Sequence, residues 1–155
     1  MKKWLAGILL AAVMLLAAGC GSSEQVTADV TAMADGLKNT ITFQDELTVL
    51  DSAKLTMMYP TLNPEDVTSS RVYVSSNATA EEIAAFEAKD ADAAGRIREA
   101  VEKRLENQRE GFADYAPAEM PKLNDPVLVV KGRYVVLCVS DDNGKAEAEI
   151  EKHWK

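Results

Sequence analysis

One histidine and two cysteines supply the only imidazole and the only thiols of this 155-residue chain, and their positions restrict the chemistry open to it. His153 lies beside Trp154 near the end of the sequence, on an amphipathic stretch where an imidazole is solvated or packed at an edge. Nucleophilic catalysis needs a hydroxyl or thiol with a base in reach. No serine stands in a Gly-x-Ser-x-Gly elbow or a Ser-x-x-Lys motif, and the glycines are scattered singly, so neither a phosphate-cradling loop nor a dinucleotide fingerprint is present. These patterns assign no catalytic residue and no cofactor, and the expectation is a protein that is not an enzyme.

Oxygen-rich segments are equally unpromising as metal sites. Asp141-Asp142-Asn143-Gly144 resembles part of a calcium loop, but setting Gly144 at the glycine position puts Val139 at the first ligand and Ile150 at the final acidic one. Helix capping accounts for those acids instead. One histidine and one apolar-flanked cysteine make a zinc site improbable, and no metal ligand is assigned. Glu81-Glu82 and Glu65-Asp66 are pairs able to do acid-base work, yet among 25 acidic residues adjacent pairs are expected by chance. Asn77-Ala78-Thr79 fits a glycosylation sequon and is read as a turn.

The two cysteines have different surroundings. Met1, Lys2 and Lys3 precede an apolar run from Trp4 to Ala18, shorter than the ~20 residues of a spanning helix and ending in Ala17-Ala18-Gly19-Cys20. A basic start, a short apolar segment and small residues before a cut site read as an export signal over 1–19. The segment resembles the bacterial lipoprotein signal, with Ala17 where leucine is usual. That resemblance implies lipid attachment at Cys20, with 20–25 as lipidated cysteine and polar tether and 26–155 as a single domain. Cys138, within Tyr134-Val135-Val136-Leu137-Cys138-Val139, reads as a small buried hydrophobe.

Charge sets further limits. The 17 basic against 25 acidic residues leave a net −8, and loss of Lys2 and Lys3 with the leader would deepen it. Phosphate binding needs clustered Lys and Arg, whereas here they are interleaved with acids, so nucleic acid is excluded as a partner class. The same charge repels anionic headgroups, so membrane residence would depend on acyl chains.

The elements that must position any site follow from apolar periodicity. Val26, Val30, Met33, Leu37 and Ile41 lie on one helical face, and a shorter helix runs from Asp51 or Ser52 through Leu55 and Met58 to Pro60. Val72-Tyr73-Val74 is a strand. Ala80 to Lys89 has helical composition but alternates like a strand, and strand is the assignment. A long helix from Asp90 or Asp92 carries Ala94, Ile97, Val101, Leu105, Gln108, Phe112 and Tyr115 on one stripe. Val127–Val130 and Tyr134–Val139 flank Lys131-Gly132-Arg133 as a hairpin, and a terminal helix places Ala146, Ile150 and Trp154 at steps of four. The expected fold is α+β: a four-stranded, largely antiparallel sheet from two strand-strand-helix halves, a long helix across one face, and one or two N-terminal helices before it.

The segments Arg71-Val72-Tyr73-Val74-Ser75-Ser76, Ala80 to Asp90, Tyr115-Ala116-Pro117 and Gly132 to Asp141 resemble the DUF4358 family. Its members are lipoproteins without an assigned function, mostly of Gram-positive Clostridia and their relatives. The resemblance covers nearly all the chain after the leader. It implies a membrane-tethered, extracytoplasmic domain and brings no catalytic residues.

The functional expectation is a binding or scaffold lipoprotein at the outer face of the cell membrane, held through Cys20 and serving a protein partner in the envelope. An envelope-polymer enzyme using surface carboxylates and a small solute receptor are the alternatives. Met57, Tyr59, Tyr115 and Met120, near prolines at element ends, read first as packing at the edge of the core and, where a binding surface exists, as the candidate partner surface.

Overall fold

A computed structural model describes residues 25–155, so the leader, Cys20 and all but the last residue of the tether lie outside the described residues. The order of elements is α1 (Val30–Thr40), β1 (Thr48–Val49), α2 (Leu55–Met58), β2 (Val67–Val74), β3 (Glu82–Ala88), α3 (Ala91–Tyr115), α4 (Met120–Asn124), β4 (Val127–Lys131), β5 (Tyr134–Val139) and α5 (Asn143–Glu151). Short 3-10 turns at Ser52–Lys54, Pro64–Asp66 and Pro117–Glu119 lead into α2, β2 and α4.

The fold is α+β around a fully antiparallel sheet of order β1-β2-β3-β5-β4. It has five strands where the sequence reading expected four. Thr48 and Val49, opposite Val74 and Tyr73, are both exposed, so this two-residue strand shows no apolar alternation to read. The segment with helical composition is strand β3, buried along nearly all its length. Ala84, Ala85 and Ala88 on β3 leave room for helices to approach both faces.

On one face α3 lays Ala94, Ile97, Val101 and Leu105 against Val72, Ala84, Phe86, Val135 and Leu137. On the other, α1 and α5 bring Met33, Leu37, Ala146 and Ile150 to Tyr73, Ile83, Ala85, Val136 and Cys138. The two strand-strand-helix halves therefore do not repeat in space. Adjacent antiparallel strands are exchanged by a two-fold axis normal to the sheet, which would keep both helices on one face, whereas α3 and α5 lie on opposite faces.

Caps and close approaches fix the helix ends. Asp29 accepts from the Thr31 and Ala32 N–H groups, Asp90 from Ala93 and Asp142 from Lys145, each answering donors that the first turn cannot pair internally. Asp142 is thus a helix cap. Gly36 lets α1 lie on α5, because a Cβ there would come within 2.5 Å of Glu149 Oε1 and 2.8 Å of His153 Nε2. Trp154 lies beyond α5 and rests on Tyr134, ring centroids 5.8 Å apart. Before α1, Thr27 exchanges backbone hydrogen bonds with Lys155, 2.9 Å in each direction.

Asp66 joins the start of β2 to α3. Its buried carboxylate receives Arg96 Nε and Nη2, both at 2.7 Å, and Lys89 Nζ at 2.9 Å. Hydrogen bonds from Arg96 and then Lys89 hold this carboxyl well below the usual range. A folded value below the unfolded one stabilises the fold fully above about pH 4, and the contribution is lost as pH falls toward the folded value.

Thermal melting should therefore decline on acidification below about pH 4, and Asp66→Asn should melt lower at neutral pH with a shallower acid slope; equal slopes would dismiss the linkage. Burial pushes the Cys138 thiol up to about 12. Mass-resolved maleimide labelling of the peptide containing Cys138 should be slow in the native chain and fast in denaturant, and fast native labelling would show that β5 is more open than described.

Candidate functional site

Glu82 opens β3 and Glu81 immediately precedes it, and both are buried. Glu82 sits between Val74 and Val139 on the neighbouring strands, which offer its side chain no donors. Its donors come from the helices. Arg104 Nη2 and Nε donate to Oε2 at 2.8 and 3.2 Å, and Gln108 Nε2 donates to the same oxygen at 3.2 Å. Arg104 and Gln108 stand one turn apart on α3, the i,i+4 spacing that places both side chains over one spot. The Tyr59 hydroxyl donates a short hydrogen bond to Oε1. Burial first, and the Glu82 charge second, raise the Tyr59 pKa well above the ordinary phenol value, which keeps the donor proton in place. The Tyr59 ring meets Phe86 edge to face at 5.5 Å.

Glu81 is satisfied by other segments. Its carboxylate accepts the Gln44 and Asp45 N–H groups at about 3 Å, Thr79 Oγ1 at 3.0 Å, and a longer contact of 3.5 Å from Lys122 Nζ. Lys122, itself buried, donates to Glu119 at 3.0 Å and lies 3.6 Å from Asp141. Burial alone would lower the Lys122 pKa, but Glu119, Glu81 and Asp141 outweigh it and hold the value above that of a free lysine. Glu119 also accepts the Ala80 N–H at 2.8 Å.

Above Glu82 opens a cavity of about 300 Å³, at the low end of the ~300–1,000 Å³ typical of small-ligand sites. Glu82, Arg104 and Gln108 line its polar part, with Asn107 beside them on α3. Met58, Val74, Phe112 and Tyr115 supply apolar walls. The loop from β2 to β3 contributes Ser75, Asn77 and Thr79, with Asn77 in the left-handed conformation at φ 74°. Ser75 Oγ donates to the Thr79 carbonyl at 2.6 Å and fixes that turn. Gly111 leaves the helix side of the cavity open, since a Cβ there would meet no atom within 4 Å.

The four residues of the expected partner surface separate here. Tyr115, 72% exposed, stands on the cavity wall. Met57, 78% exposed, adjoins the cavity-lining Met58 in sequence but is not itself part of the lining. Met120 is half-buried against the α3 side of the core. Tyr59 is fully buried on Glu82 and is not a surface residue, because its hydroxyl is one of the donors that the buried carboxylate requires. Cys20 lies outside the described residues.

Sequence reasoning set Glu81-Glu82 aside as a chance pair and did not connect Glu82 with Arg104 and Gln108. The available signal was Gln108, a polar side chain on the otherwise apolar stripe of α3 with an arginine one turn before it. The other titratable candidates lie elsewhere. His153 pairs with Glu149 at 3.1 Å at the α1–α5 contact, and Cys138 is buried on the far face of the sheet.

A domain of unknown function, DUF4358, matches residues 39–140, about two thirds of the chain. The match contains every residue of the cavity and omits most of α1 and all of α5. No curated protein and no solved structure matches the chain.

Arg104→Met should destabilise the fold by about 3–5 kcal/mol in urea unfolding, because Glu82 is left buried without its cation. Adding Glu82→Gln to that variant should recover part of the loss. A cost below about 1 kcal/mol for Arg104→Met alone would show that the pair is not what holds α3 to β3.

Proposed function

The chain belongs to the DUF4358 family, whose members have no assigned activity, and on that premise we propose that it is a lipid-anchored binding module on the outer face of the membrane. Cys20 carries the anchor in this reading, and the cavity above Glu82 receives a cell-envelope partner. What supports a binding role is the combination of apolar walls, an exposed aromatic rim at Tyr115 and a polar part whose carboxylate is already fully engaged. A general acid or base needs an oxygen free to exchange a proton with substrate. Glu82 instead accepts from Tyr59 on one oxygen and from Arg104 and Gln108 on the other, which favours a scaffold over an envelope-polymer enzyme using this carboxylate.

Anchoring rests on the small residues before Cys20 and on the basic, apolar leader. No helix among the described residues is long and apolar enough to cross a membrane. Membrane residence through acyl chains at Cys20 also accommodates a domain whose net charge opposes anionic headgroups.

Cys20→Ala should abolish metabolic lipid labelling and the membrane-bound mature form, and unchanged labelling would overturn the anchor. Tyr115→Glu should weaken recovery of crosslinked envelope partners by about ten-fold while leaving melting within a few degrees of the parent. Turnover of an envelope polymer by the purified protein, lost on changing one Asp or Glu without unfolding, would replace the binding module with an enzyme.

A further inference from the structure

Gln108 is 6% exposed, and its amide can face only one way. Nε2 must turn to the Glu82 carboxylate, since the reverse would set a carbonyl oxygen against it. Oε1 is then left as a buried acceptor without a donor among the described residues, in a side chain that lines the cavity. An unmatched buried acceptor is costly, and an entering N–H group would satisfy it.

The lining also limits the charge of the guest. Glu82 and Arg104 are its only charged members, and each already answers the other. Arg104 spends Nε and Nη2 on Glu82, so Nη1, together with the neighbouring Asn107 amide, remains to meet a carbonyl. A cation would compete with Arg104, and an anion would have to enter a protein of net charge −8.

We infer that this cavity binds a neutral segment of peptide, with a backbone amide on Gln108 and Arg104 and one apolar side chain between Met58, Val74, Phe112 and Tyr115. The inference rests on the binding-module reading above and supplies its ligand class. An N-acetylated sugar also carries a secondary amide, but only hydroxyls turned to the loop of Ser75, Asn77 and Thr79 would find polar groups, and those against Met58, Val74, Phe112 and Tyr115 would be unpaired.

The test uses the full chain in detergent micelles and N-acetyl-Ala-Leu-Ala-amide as probe, followed by ligand-observed NMR titration. The same peptide with Asp in place of Leu, and N-acetylglucosamine, are the comparisons. The leucine peptide should bind, and the aspartate peptide should be at least about ten-fold weaker because its charge is desolvated on entry. Gln108→Met should weaken the leucine peptide about five-fold, the size of one lost hydrogen bond. Gly111→Leu should abolish binding, with melting within a few degrees of the parent as the check that the fold is kept, since a Cβ there meets no atom within 4 Å. Peptide binding that survives Gly111→Leu, or a preference for N-acetylglucosamine, overturns the inference. Absence of peptide binding while Tyr115→Glu still reduces partner recovery overturns the ligand class alone, whereas peptide binding with partner recovery unaffected by Tyr115→Glu overturns the use of the cavity by an envelope partner.

Discussion

Two adjacent carboxylates enter the interior at the start of the central strand, and much of the surrounding structure serves to satisfy them. A buried acid without donors is far more costly than an exposed one. The donors for Glu82 come from α3 and from Tyr59 just after α2, and those for Glu81 from the loop after α1, the β2–β3 turn and α4. The short helices α2 and α4, which place Leu55 and Leu123 in the core, are further fixed by polar contacts to one strand. The cavity is a by-product of the same arrangement, since its polar part consists of the side chains that converge on Glu82.

Apolar packing and these polar contacts divide the work. The sheet is buried on both sides, with aliphatic side chains of β5 pointing alternately to α3 and to the α1–α5 pair. Burial at about 25 cal/mol per Å² accounts for the cohesion of those layers but is indifferent to small rotations of one layer on another. Directional contacts remove that freedom: the Asp66–Arg96 fork at one end of β2 and β3, and the Glu82–Arg104 pair at the other. Between them they set how α3 lies along the sheet.

Much of this was legible in the residues. The stripe on α3, the glycine turn at Gly132 with its φ of 58°, and the alternation hidden in Ala80 to Lys89 all follow from local periodicity and turn chemistry. The misreadings have a common cause. Glu81-Glu82 reads as a chance pair among many acids, because the donors that permit its burial stand as far as 41 residues away. Tyr59 next to Pro60 looks like a surface aromatic for the same reason, its partner being 23 residues distant. β1 is too short to show a period, and the covering of the second face by α1 and α5 depends on helix placement that no single helix encodes. The cavity could not be read from the sequence because its walls come from α2, β2, the β2–β3 loop and α3.

The exchange of backbone hydrogen bonds between Thr27 and Lys155, with α1 lying on α5, bears on the timing of biogenesis. During vectorial synthesis α1 is available long before the surfaces that bury it, which lie on β2, β3 and α5. The hairpins and α3 can associate while the chain is still emerging, but α1 has no complete seat until α5 has formed. A chain stalled before α5 would leave part of the apolar face of α1 uncovered, the kind of exposed surface by which chaperones and proteases distinguish unfinished chains.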